Sequence, residues 1–171
     1  MYLEKDIIVR PSSKAVSIVQ NRIKEKNFLF KCGCPVGQYK IIDNLTSIKN
    51  IDDQHDIFPA ILKTAQFGYD GKGQIHVNNR IELEDAFKEF NSEPCILEEK
   101  LDLDLEVSLV LSRSTNKNFE IYSLIENQHV SGILDLSIIP ARINSSIKKE
   151  TIKLAKKISS ELDYIGVLAI E

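Results

Sequence analysis

The spacing of apolar residues changes period several times along the chain, and each change marks an element. After Pro11, Ser12 and Ser13 offer an N-cap, and Ala15, Val16, Val19 and Ile23 follow at helical spacing. One helix is therefore predicted there, broken by Cys32-Gly33-Cys34-Pro35. Asp52 to Pro59 reads as a polar loop, and Ala60-Ile61-Leu62 as a short buried strand. Gln74 to Val77 reads as the second strand of a hairpin. Leu83, Ala86, Phe87 and Phe90 then share a helical face, with Asn78 or Asn79 as its cap.

Cys95-Ile96-Leu97 begins another strand, and Leu101-Asp-Leu-Asp-Leu105 alternates beyond it. Val107, Leu109 and Leu111 alternate with Ser108, Val110 and Ser112, and Ser114 to Asn118 turns the chain into a partner strand from Phe119 to Ile125. Ile147, Thr151, Leu154, Ala155, Ile158 and Leu162 form one face of a long helix, followed by the continuous apolar strand Gly166-Val-Leu-Ala-Ile170. Hairpins mixed with helices give an α+β pattern, not the regular alternation of a doubly wound parallel sheet.

Composition adds limits. With 171 residues, 43% of them apolar and 27% charged, the chain reads as one ordinary globular domain or two small lobes. A net charge of −3 gives no support to nucleic-acid binding through a broad basic face, and no apolar run reaches the length of a membrane span. Three cysteines without a CxxC pair, and only three histidines, argue against a disulfide framework or structural zinc and for reduced thiols in the cytoplasm.

The densest chemistry lies in Gly68-Tyr69-Asp70-Gly71-Lys72-Gly73, three glycines in six residues between two strands. Glycine admits positive φ and lets backbone N–H groups approach a ligand, as a triphosphate cradle requires. Lys72 adds a cation at the tip, and Lys63 follows the apolar strand. The spacing is neither GxxxxGK[ST] nor GxGxxG. The same residues make an ordinary glycine-rich hairpin turn, so the loop alone leaves both readings open. Likewise Glu98, Glu99, Asp102, Asp104 and Glu106 read by themselves as a solvated acidic face.

Four separated strings carry a resemblance. Ile61 to Gln74, with its GYDGKGQ core, looks like the signature of the 5-(carboxyamino)imidazole ribonucleotide synthetases, ATP-grasp ligases of purine biosynthesis. Arg22 to Lys26, Glu126 to Arg142 and Leu162 to Glu171 are similar to further segments of that family, in the same order. The resemblance implies an ATP-grasp fold of two lobes with nucleotide between them. It places a leading helix and linker at 1–36, a small lobe carrying the glycine loop at 37–97, and a larger lobe at 98–171. It also implies that the family's N-terminal domain and C-terminal part lie outside this chain.

By the same resemblance, ATP phosphorylates bicarbonate to carboxyphosphate, and the amine of 5-aminoimidazole ribonucleotide captures the carboxyl group. Arg22 and Lys63 would meet the nucleotide phosphates. Gly68, Tyr69, Asp70, Gly71, Lys72, Gly73 and Gln74 would close over the β- and γ-phosphates, with Lys72, Tyr69 and Arg22 in catalytic roles. Glu98, Glu99, Lys100 and Leu101 would form the adenine hinge, Glu106 would hold the ribose hydroxyls, and His129 would touch the nucleotide. Glu171 would be the first ligand of Mg²⁺. Lys26 is a weaker phosphate candidate, and Asp135 and Arg142 lie where the family shapes its substrate pocket. A homodimer is expected by analogy. Three alternatives stand beside this reading: another ATP-grasp carboxylate–amine ligase or biotin-carboxylase relative, a nucleotide-binding fragment without turnover, and an interaction domain with a glycine hairpin.

Overall fold

The computed structural model describes residues 3–53, 57–68, 72–130 and 132–171. A 3-10 turn (Leu3–Lys5) and helices α1 (Ser13–Val19) and α2 (Arg22–Lys31) open the chain. Strand β1 (Tyr39–Ile42), helix α3 (Leu45–Lys49), strands β2 (Ala60–Thr64) and β3 (Gln74–Val77), helix α4 (Arg80–Glu89) and strand β4 (Cys95–Glu99) follow. The second half carries β5 (Glu106–Arg113), β6 (Phe119–Ile121), β7 (Ile125–Val130), β8 (Ile133–Ile138), helix α5 (Ser145–Glu161) and β9 (Gly166–Ile170). Among the described residues no helix is long and apolar enough to cross a membrane.

These elements fall into two compact units that interleave along the sequence. One holds residues 20–30 and 35–102; the other holds 1–19, 31–34 and 103–171.

In the 20–30/35–102 unit, an antiparallel sheet of order β1-β4-β2-β3 buries one face under α3 and α4. Ile42, Leu62, Val77 and Leu97 from the strands meet Ile48, Leu83 and Phe87 from the helices, all almost fully buried. Removing an aromatic ring such as Phe87 from water contributes about 2–3 kcal/mol. Asn79 is the cap of α4: its side chain accepts from the Glu82 N–H at 2.9 Å, and Glu82 accepts the Asn78 N–H in return. The cap thus satisfies one orphan donor of the first turn, and the Glu82 carboxylate ties down the residue that precedes the cap.

The predicted single helix near the N-terminus is two. Asn21 accepts the Lys24 N–H at 3.0 Å and starts α2 afresh, while the Arg22 N–H goes to the Ala65 carbonyl instead of back into α1. A side chain that competes for backbone donors ends one helix and caps the next.

In the other unit, β5 is the hub, paired antiparallel with β6, β7 and β9. The partner strand predicted from Phe119 to Ile125 is broken. Its register against β5 slips by one residue between the β6 and β7 pairings, and Tyr122–Leu124 lies outside both. The chain then continues into the β7–β8 pair, which periodicity had not indicated. Helix α5, capped by Asn144, lays Ile152 and Ala155 over Leu109, Leu111, Leu124 and Phe119. Ser159 and Leu162 are also buried on α5 and its C-cap, whereas Ile147, predicted on the buried face, is exposed. The alternating Leu101–Leu105 segment does not extend β4. Its three leucines are exposed, and among the described residues no strand pairs with it to give the alternation a buried face.

Candidate functional site

Hairpin β2–β3 sets the base of the glycine loop. Lys63 stands opposite Gln74, and the Thr64 N–H donates to the Gly73 carbonyl at 2.9 Å. Gly73 has φ +73°, and a Cβ there would stand 2.6 Å from Thr64 Oγ1, so this position admits only glycine without strain. Phe67, just before the loop, also takes a positive φ of 63° and is 92% exposed. Tyr69, Asp70 and Gly71 lie outside the described residues, as does His55. Lys72 is exposed at the far side of the loop.

Arg22 is delivered to the loop twice over. Its backbone N–H bonds to the Ala65 carbonyl at 2.9 Å, and its guanidinium lies 3.5 Å from where a Gly68 side chain would begin. One turn further along α2, Lys26 meets Glu98 of β4, with Nζ 3.2 Å from Oε1. Lys63 of β2 meets the other oxygen of the same carboxylate, 2.8 Å from Oε2. The β2–β4 register sets Glu98 opposite Ile61, so Lys63, two residues on, shares its face of the sheet.

Burial alone would raise the Glu98 carboxyl, but the hydrogen bonds and charges of Lys63 and Lys26 outweigh it and hold the group below its ordinary value. Glu25 beside them is raised by burial, against the lowering pull of Arg22 and Lys26. Glu98 therefore leaves the acidic series read from the sequence. The remainder of the expected hinge is partly committed to the fold: the Glu99 N–H donates to Gln38 and the Lys100 N–H to Pro59, each at 3.0 Å. Leu101 is exposed.

In the 103–171 unit, Glu106, His129 and Arg142 line a cavity of about 750 Å³ together with Glu126, Asn127 and Gln128. His129 Nδ1 lies 2.7 Å from Glu106 Oε2 but out of line for a straight N–H···O bond. Glu126, 1% exposed, has no counterpart among the expected site residues. Arg142 holds it with a two-pronged grip: Nε donates to Oε2 at 2.8 Å, Nη2 donates to Oε1, and the Arg142 backbone N–H adds a third bond at 3.2 Å. The Arg142 bonds lower the Glu126 carboxyl to about 2 despite its burial. Arg142 is thus anchored to the fold, whereas Asp135 on β8 is exposed. The resembling string Glu126 to Arg142 includes both residues, but their pairing across sixteen positions is set by the β7–β8 pairing and by the Ala141 N–H bond to the Leu124 carbonyl.

Glu171 is exposed at the end of β9. Among the described residues no three His, Cys, Asp or Glu side chains gather to hold a metal ion. Magnesium asks for several oxygen ligands in near-octahedral array, and Glu171 offers one exposed carboxylate.

The antiparallel sheet thus carries the glycine-rich hairpin, with Arg22 brought to its base from α2 and Lys63 from β2. The sequence model of the ATP-grasp domain matches residues 27–171, and the chain belongs to that family. It is similar to the N5-carboxyaminoimidazole ribonucleotide synthase of Bacillus subtilis (strain 168), 34% identical over 170 residues that cover 99% of this chain and 44% of the relative. A solved N5-carboxyaminoimidazole ribonucleotide synthetase in complex with ADP matches with a TM-score of 0.88 at 36% identity, over 98% of this chain and 44% of that one. The Staphylococcus aureus N5-carboxyaminoimidazole synthetase complexed with ADP matches with a TM-score of 0.88 at 31% identity and the same coverage. The chain spans slightly under half the length of these relatives.

Proposed function

We propose that this chain is the nucleotide-binding part of an ATP-dependent ligase that carboxylates 5-aminoimidazole ribonucleotide. The terminal phosphoryl group of ATP passes to a bicarbonate oxygen, giving carboxyphosphate and ADP. The substrate amine then forms the new C–N bond as the C–O bond to phosphate breaks and the amine loses a proton. Such chemistry needs no protein nucleophile; it needs cations and N–H donors fixed where negative charge accumulates.

The observation that carries this reading is the convergence of Arg22 and Lys63 on the base of the glycine loop, the first beside Gly68 and the second on the strand that enters it. Arg22 and Lys63 are assigned to the phosphates, and Gly68 to Gln74 to their enclosure, with Lys72, Tyr69 and Arg22 assigned the catalytic roles. Glu98 to Leu101 is assigned to adenine, Glu106 to the ribose hydroxyls, and His129 to the nucleotide beside Glu106. The names of the relatives, and the ADP in two of the solved ones, support the choice of reaction and nucleotide.

Isothermal titration with ADP tests the nucleotide assignment, and binding in the micromolar range is expected. Phosphate release from ATP that requires both bicarbonate and 5-aminoimidazole ribonucleotide tests the reaction. ADP binding without that release assigns the chain to nucleotide binding alone, and no ADP binding by a folded chain rejects the reading.

A further inference from the structure

We propose that Lys26 is a positioning residue for Lys63: it serves as the second cation of Glu98, so that Lys63 can leave that carboxylate for a nucleotide phosphate. The two ammonium groups occupy different oxygens of Glu98, Lys63 on Oε2 at 2.8 Å and Lys26 on Oε1 at 3.2 Å. All three side chains are only about one-fifth exposed. A withdrawn carboxylate that loses its sole cation is strongly disfavoured, which would keep a single lysine where it is. With two, one can depart while the other keeps the carboxylate ionised. Lysine suits the task because its ammonium is a point charge on a flexible stem, making one bond that is readily exchanged.

The surroundings leave Lys26 as the standing partner. Arg22, the other cation of α2, is directed to the loop beside Gly68. Glu25 faces the same group and adds negative charge that a departing Lys63 would leave uncompensated. Tyr39 of β1, opposite Glu98 in register, gives its hydroxyl to Asn27 at 3.0 Å.

The inference rests on the assignment of Lys63 to a nucleotide phosphate, and the test separates the two. ADP affinity is measured by titration calorimetry on the full chain and on Lys26→Met, Glu98→Gln and the double variant. Lys26→Met is expected to bind ADP about tenfold more weakly, the equivalent of one charge-assisted hydrogen bond. In the Glu98→Gln background, Lys26→Met should cost little further affinity, because a neutral amide needs no counter-ion and Lys63 is already released, whatever the amide itself does to the adenine contact. A Lys26 that touched phosphate directly, or merely supported α2, would cost the same in both backgrounds. An equal loss in the two backgrounds therefore overturns the inference, as does a Lys26→Met chain with unchanged affinity. An unmodified chain that fails to bind ADP takes down the nucleotide assignment as well. Thermal melts accompany each titration, and Lys26→Gln repeats the test should the methionine variant lose its cooperative transition.

Discussion

Glu98 and Glu126 are both strand carboxylates withdrawn from water, one in each unit, and they are neutralised in opposite ways. Glu98 is shared by two lysines, each making a single contact with a different oxygen. Glu126 is gripped by one arginine through two side-chain donors and a backbone N–H. Point charges on flexible stems can be exchanged one at a time, whereas a planar fork is made or lost as a whole. The first arrangement suits a site whose contacts change when a ligand arrives. The second suits a fixed wall, and it holds the chain after β8 against β7 beside the cavity that Glu106 and His129 line.

The sharpest way to break this contrast is Arg142→Ala, which strands a buried carboxylate and is expected to lower the melting temperature by about 10 °C. Arg142→Lys should restore only part of it, because an ammonium cannot replace the fork. If the two variants melt alike, the fork contributes nothing that a point charge does not.

Acid unfolding sharpens the same point. The Glu126 carboxyl is depressed from an ordinary 4.5 to about 2, so its stabilisation is present above 4.5 and is lost as pH falls toward 2. Removing Arg142 raises that carboxyl, and the acid transition followed by tyrosine fluorescence should move to higher pH. Glu25 acts in the opposite sense: raised by burial, it favours the fold when protonated and loses that advantage as pH rises through its folded value.

Gly73→Ala examines the loop beside the exchangeable bridge. Its Cβ would meet Thr64 Oγ1 at a positive φ, and a loss of about 2 kcal/mol in a urea titration is expected. Lys63→Met should have the smallest effect on stability, shifting the melt by no more than about 2 °C, since Lys26 still neutralises Glu98. Its effect should appear in ADP affinity, as a loss of about tenfold. Combining it with Lys26→Met should then weaken ADP binding no further.

Much of the fold was legible because its signals are local. The β2–β3 hairpin, the Asn79 cap, the face of α4 and the β9 strand all follow from periodicity and punctuation within a dozen residues. What escaped depended on partners distant in sequence. The break between α1 and α2 combines the local Asn21 cap with the Arg22 N–H bond to Ala65, more than forty residues away, and the split of the β6–β7 strand follows its register on β5. The site divides the same way. Composition and resemblance single out the glycine loop, Arg22 and Lys63 as candidates and Lys26 as a weaker one, while the pairing of Lys26 with Glu98 and of Arg142 with Glu126 depends on what the fold places together.

The interleaving of the two units also bears on how the protein can be cut. Neither unit is a continuous stretch: the one holding residues 103–171 also recruits 1–19 and 31–34. A break after Asp102 would therefore not release two autonomous modules. It would leave α1 on a different polypeptide from the sheet of its own unit. That makes the peptide bond after Asp102 a natural place for a split-protein reporter, because two co-expressed halves would have to reassociate before the 103–171 unit was complete.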